Sequence, residues 1–261
     1  MKNILPIIFI ISFLAVTAQE DPSPFITTWE TTAANETITI PTDTANHTYS
    51  YTVDWGDGST DNNTYTKDAT HEYADAGTYM VTINGGFPHI RFAEFDDRDI
   101  LVPTPAADQI RTVQQWGDIE WSSMKLAFAG CSNLTINAMD APNLSVVEDV
   151  RGMFLRASFT GNINGWNVSS VTNMEFMFAE SSFNQDISDW NVSSVTDMHG
   201  MFAESSFNQD ISNWNVSIVT NMQQMFLDTR FSGDISNWDV SSVTHMRQTF
   251  LVASFTPQIR N

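Results

Sequence analysis

Asp186, Asp210 and Asp234 recur at a constant spacing of 24 residues, with Asn162 ahead of them in the same register. If that spacing makes them neighbours, their carboxylates stand on the order of 5 Å apart. Like charges that close raise one another's pKa unless a cation neutralises them, and a row of oxygen ligands suits calcium. The alternative is that each aspartate bonds a backbone amide of its own turn and stays solvated. Calcium at these three positions is the one cofactor left open; otherwise no cofactor and no metal is expected. Asp54, Asp57 and Asp75 form a second carboxylate group, with His71 and Tyr73 nearby. There, turn-stabilising contacts and strand packing account for the residue types without a ligand.

Signs of catalysis are lacking. The chain contains no G-x-S-x-G, H-E-x-x-H or C-x-x-C motif, no phosphate loop and no dinucleotide fingerprint. His199 and His245 occupy non-equivalent points of the period, so repetition does not bring them together. Two acids acting on a glycoside need a cleft that holds them at fixed separation, which acidity alone does not supply. Cys131 is the only cysteine, so no internal disulfide forms, and a small buried residue is the expected role. A non-enzyme is expected.

The aspartates are one column of a wider repeat. Phe159, Phe183, Phe207, Phe231 and Phe255 share the spacing, as do Trp166, Trp190, Trp214 and Trp238, and Met174, Met198, Met222 and Met246. So do Ile163, Ile187, Ile211, Ile235 and Ile259. A strict period of this length is the mark of a stacked solenoid, in which each unit packs on its neighbours. Units run over 159–182, 183–206, 207–230 and 231–254, and another begins at Phe255. Within a unit, Ile211-Ser212-Asn213-Trp214-Asn215-Val216 has the L-x-x-L-x-L spacing of a short strand. Val219, Met222, Met225 and Phe226 follow at helical intervals, and Thr220 with Gln223, like Thr172 with Glu175, reads as a capping box.

Polar positions of the predicted strand face outward. Asp189, Asn213 and Asn237 make one column; Asn167, Asn191, Asn215 and Asp239 make a second; Ser169, Ser193, Ser217 and Ser241 make a third. This face is expected to bind a protein or glycan. The competing account is that small polar residues keep an exposed sheet soluble and in register.

Residues 1–18 read as a signal peptide, with Lys2 before an apolar stretch and Val16-Thr17-Ala18 as the cleavage site. Secretion or surface display follows, without membrane insertion after cleavage. Residues 25–92 alternate β-branched and aromatic runs with turn residues. Tyr49, Tyr51, Val53 and Trp55 carry the period of a half-buried strand, and Gly56-Asp57-Gly58-Ser59 supplies a reversal. Residues 93–123 are expected to connect and to cap the array, which occupies 124–261. The residues therefore predict a small all-β domain followed by an α/β leucine-rich-repeat solenoid of 24-residue units.

The net charge of −20, from 31 acidic against 11 basic residues, excludes nucleic acid and anionic lipid surfaces as partners. Extracellular proteins and neutral polysaccharides fit.

The pair Val53-Asp54-Trp55-Gly56-Asp57-Gly58-Ser59-Thr60 and His71-Glu72-Tyr73-Ala74-Asp75-Ala76-Gly77-Thr78 resembles the PKD family. That resemblance implies that the all-β domain is an immunoglobulin-like β-sandwich, a spacer or interaction module without catalytic residues. Phe207-Asn208-Gln209-Asp210-Ile211-Ser212-Asn213-Trp214-Asn215-Val216-Ser217, followed by Val219-Thr220-Asn221-Met222 and Met225-Phe226, resembles the BspA-type leucine-rich repeat family. It implies a bacterial surface or secreted protein engaged in adhesion or recognition. The sequence stops at Asn261, early in a unit, which suggests a fragment or a minimal closing strand. Two other readings stand beside recognition: an accessory module of a larger secreted hydrolase, and a structural component of an extracellular matrix.

Overall fold

Alternation of inward and outward residues builds the N-terminal half. In the computed structural model, which describes residues 22–253, β1 (Phe25–Thr31) buries Phe25, Thr27, Trp29 and Thr31 and turns the residues between them outward. β2 (Glu36–Ile40), β3 (Ser50–Asp54), β4 (Ala69–Tyr73) and β5 (Gly77–Gly86) follow, and three of these coincide with the β-branched runs of the sequence. Gly56 reverses the chain after β3 with φ +74°, and a Cβ there would lie 2.2 Å from the Met80 carbonyl oxygen. Only glycine fits that approach.

β6 (Ala93–Phe95) and β7 (Leu101–Pro103) form a hairpin, and a 3-10 turn over Pro105–Asp108 leads into β8 (Ile110–Gln115). β9 (Leu134–Ile136) and β10 (Phe159–Thr160) come next. The main sheet has six strands in the order β10-β9-β8-β1-β5-β3. β8 is its joint: it pairs antiparallel with β1 on one side and parallel with β9 on the other. Residues 93–123 thus supply a central strand of the sheet as well as a hairpin. β2 and β4 form a separate two-stranded sheet. One apolar core extends from Phe25 to Phe231.

The α/β leucine-rich-repeat solenoid expected from the sequence does not form, and no free-standing sandwich precedes it. The structure is several sheets and linked turns, with no α-helix among the described residues. The reason lies in where the backbone N–H groups go. From Met124 onward, alternate residues donate to the following unit, as in Met174 to Asp197 O (2.9 Å), Phe176 to His199 O (2.8 Å), Phe178 to Met201 O (2.9 Å) and Glu180 to Ala203 O (2.7 Å). Residues between them close back over three positions, Met177 to Met174 O and Ala179 to Phe176 O. An α-helix needs every N–H for the carbonyl four residues back, so it cannot coexist with this ladder. The capping boxes fail with it. Thr220 N donates to Thr196 O, and Gln223 N goes to Asn221 Oδ1.

The short strand expected around Trp214 is also replaced by turns, in which Trp214 N bonds Ile211 O. Single bridges join the units in parallel, Asp149 to Asn173 to Asp197 to Asn221 to His245. The apolar columns do assemble. Phe154, Phe178, Phe202, Phe226 and Phe250 stack ring on ring at 5.7–5.8 Å. Phe159, Phe183, Phe207 and Phe231 stack beside them at 5.4–6.1 Å. The expected signal peptide at 1–18 and the unit beginning at Phe255, with Ile259, lie outside the described residues.

Candidate functional site

Three sets of asparagines and aspartates shape the outer surface of the repeats, each by accepting the N–H two residues on. Asn162, Asp186, Asp210 and Asp234 bond Asn164, Ser188, Ser212 and Ser236, all at 2.9 Å. Asn167, Asn191, Asn215 and Asp239 bond Ser169, Ser193, Ser217 and Ser241 at 3.0–3.2 Å. Asp149, Asn173, Asp197 and Asn221 do the same at the bridge positions. These are Asx turns, which the short side chains of Asn and Asp form readily.

The Asp186–Asp210–Asp234 column behaves accordingly. Backbone N–H donation from Ser188 and Ser212 holds Asp186 and Asp210 below the usual carboxylate range. The upward shift expected from mutual repulsion is overturned: a neighbouring carboxylate pushes up, but the turn donors outweigh it. Each carboxylate already has a partner that favours its charge.

All seven residues expected on the binding face are exposed: Asn167, Asp189, Asn191, Asn213, Asn215, Asn237 and Asp239. They project from turns, not from a sheet. Asn191 and Asn215 spend Oδ1 on the amide and hydroxyl of Ser193 and Ser217. Their amide nitrogens, and the whole side chains of Asn213 and Asn237, donate to no other described residue. Asp189 is tied across units, its Oδ2 accepting Asn164 Nδ2 at 2.9 Å and its N–H donating to Asn164 Oδ1 at 3.1 Å.

Two of the carboxylates and one of the asparagines share a groove of about 340 Å³ lined by Asn208, Gln209, Asp210, Ser212, Asp234 and Asn237, among others. Asn167, Asp189, Asn191 and Asp186 lie outside it. Sequence reasoning missed Asn184 and Asn208. Asn184 Oδ1 accepts Asn208 N and Asn208 Oδ1 accepts Ser232 N, each at 2.8 Å, so side-chain amides extend the ladder from copy to copy. The signal was present: an asparagine directly follows both Phe183 and Phe207.

Other titratable groups have structural partners. His71 Nε2 lies 2.7 Å from Asp57 Oδ2 and its ring stacks on Trp55. Asp54 and Asp57 accept the N–H groups of Gly56 and Ser59, and Tyr73 donates to Trp55 O. His199 sits between Glu175 Oε1 (3.1 Å) and Gln224 Oε1 (3.0 Å). Cys131 is fully buried, and burial pushes its thiol pKa well up.

A family described as "Mycoplasma protein of unknown function, DUF285" matches residues 122–229 and 182–261, which together span more than half of the sequence. The chain belongs to the DUF285 family. The match begins at Ser122, just before the ladder starts at Met124, and takes in every repeat unit. The segment 25–92 lies outside it. No match was found among curated proteins or among solved structures. No helix among the described residues is long and apolar enough to cross a membrane.

Proposed function

We propose that this DUF285 chain is a secreted or cell-surface recognition protein of the BspA type, binding an extracellular protein or polysaccharide without catalysis. The PKD-like segment 25–92 shares its main sheet and core with the first repeats and serves as their N-terminal support. The repeats meet the partner through Asn167, Asp189, Asn191, Asn213, Asn215, Asn237 and Asp239. The observation that carries the reading is the supply of unused donors: Asn213, Asn237 and the amide nitrogens of Asn191 and Asn215 are exposed and have no partner among the described residues. Amides at a regular interval fit a repetitive hydroxyl-bearing polymer or an extended peptide backbone, since each offers matched donors and acceptors. The charge of −20 favours neutral or cationic partners.

The test is a screen of the chain on arrays of polysaccharides and extracellular proteins. Beside it runs a variant carrying Asn191→Ala, Asn213→Ala, Asn215→Ala and Asn237→Ala. A partner held by the parent chain and lost by a variant of unchanged melting temperature supports the reading. No partner on either array, or equal binding by the variant, removes it.

A further inference from the structure

Away from the repeat surface, two histidines and a buried aspartate converge from segments far apart in sequence. Asp43 and His47 belong to the loop between β2 and β3, and His89 follows β5. Each offers a ligand atom, and these atoms lie within 4.8 Å of one another. Asp43 is 8% exposed and His89 1% exposed. The two imidazole rings meet edge to face at 4.9 Å.

The protonation of His89 is fixed by its surroundings. Its Nε2 lies 2.8 Å from the Lys125 carbonyl oxygen, which only accepts, so Nε2 carries the hydrogen. Nδ1 is left with a lone pair, is buried, and has no hydrogen-bond partner. It faces Asp43 Oδ2 at 3.9 Å, a second electron-rich atom. Two electron-rich atoms this close in a buried site repel, and an unpartnered buried acceptor such as His89 Nδ1 is costly. A cation between them resolves both.

His47 is held in a similar way. Ser122 Oγ lies 3.1 Å from its Nδ1 and 3.4 Å from the Pro88 carbonyl oxygen. When the serine hydroxyl donates to that carbonyl, His47 Nδ1 is the donor to Ser122 and Nε2 keeps the lone pair. Orientation of an imidazole through its far nitrogen, by a carbonyl or hydroxyl, is the usual support around a metal-ligating histidine.

We propose that Asp43, His47 and His89 bind a divalent transition-metal ion of the zinc class. Two imidazole nitrogens and one carboxylate suit zinc, cobalt or nickel, whereas calcium and magnesium favour oxygen ligands. Three protein ligands leave a fourth position for water. Arg91 is the opposing group: its NH1 lies 3.2 Å from Asp43 Oδ2, which also accepts Asn46 Nδ2 at 2.9 Å. Glu94, 3.8 Å from Arg91 NH2, offers the guanidinium another carboxylate when the ion takes its place. Lys125 and Ser122, which orient the two histidines, lie at the start of the family match. The ion therefore fastens the N-terminal loops to the first repeat.

Zinc titration of the chelator-treated full chain, followed by calorimetry and thermal melting, tests this. One equivalent should bind and raise the melting temperature. His47→Gln should abolish binding, Ser122→Ala should weaken it about 10–100-fold, and His71→Gln, at the exposed pair with Asp57, should leave it intact. Cobalt added to the unmodified chain should give visible bands of a low-coordinate nitrogen-ligated ion, a readout independent of whether His47→Gln folds. No stoichiometric binding, a cobalt spectrum of the free aqua ion, or zinc binding that survives in folded His47→Gln would overturn the assignment.

Discussion

Trp214 Nε1 donates to the carbonyl oxygen of Ile187 at 3.2 Å, from one repeat unit to the one before it. Trp190 bonds Ile163 and Trp238 bonds Ile211 in the same way. Each indole therefore both fills the core of its own unit and adds a second donor to a backbone carbonyl of its neighbour, which also accepts a turn N–H. Trp214 is 4% exposed. Trp214→Phe should cost about 0.5–1.5 kcal/mol, because it removes one of the two donors to the Ile187 carbonyl oxygen, which keeps the Trp190 N–H at 3.1 Å. Trp214→Ala should cost about 3–5 kcal/mol as a core truncation. Urea unfolding of both variants measures the two figures, and a Trp214→Phe variant as stable as the parent chain would show that the indole N–H contributes nothing.

Gly200 has φ +57°, and a Cβ there would lie 2.2 Å from Phe176 Cε1. Its equivalents Phe176 and Gln224 hold the same positive φ as non-glycine residues. The backbone conformation is thus tolerated in this fold, and the Phe176 ring makes position 200 special. Gly200→Ala should destabilise by roughly 1–3 kcal/mol through overpacking. Adding Phe176→Leu should recover part of the loss, while Gly165→Ala, with nothing within 4 Å of the new methyl, should change little. A double-mutant cycle with no coupling between 176 and 200 would contradict the stacking of these residues.

Glu175 and His199 define a pH window. The hydrogen bond to Glu175 raises the His199 pKa above its ordinary 6.5, and the same bond lowers Glu175 below its ordinary 4.5. The histidine's contribution is complete below 6.5 and fades as pH climbs through its raised folded value. The carboxylate's contribution is complete above 4.5 and fades as pH drops through its lowered folded value. The stability difference between the parent chain and His199→Gln should therefore be largest between pH 4.5 and 6.5. Denaturant titrations across pH should show it shrinking on the alkaline side, and a flat difference would exclude the pair as its source.

Asp210 accepts the Ser212 N–H at 2.9 Å through a single side-chain oxygen. Asparagine retains that acceptor; alanine does not. Asp210→Asn should therefore leave the melting temperature unchanged, whereas Asp210→Ala should lower it. Calorimetric titration of the parent chain with calcium should give no heat from the aspartate column, because its carboxylates serve the turns. Heat lost on Asp210→Asn would reverse that conclusion.

Much of the packing was legible from residue types. The period placed the Phe, Trp and Met columns inside, Met246 excepted, and alternation located β3. The helix at Val219, Met222, Met225 and Phe226 was misread for a definable reason. Linked turns bury residues at the same three- and four-residue intervals as a helix, so periodicity alone does not separate them. The clue lay in Gly200, a glycine with positive φ at the position that Gln224 holds in the presumed helix. The meeting of Asp43, His47 and His89 was illegible, because it depends on loops brought together by strands that pair far apart in sequence.

The central claim is that backbone donors of one unit serve the next, and a trans-hydrogen-bond scalar coupling measures this directly. Coupling is predicted between the amide nitrogen of Phe178 and the carbonyl carbon of Met201, whose hydrogen bond spans 2.9 Å. Coupling of Phe178 to Met174 in its place, the signature of an α-helix, would contradict the account.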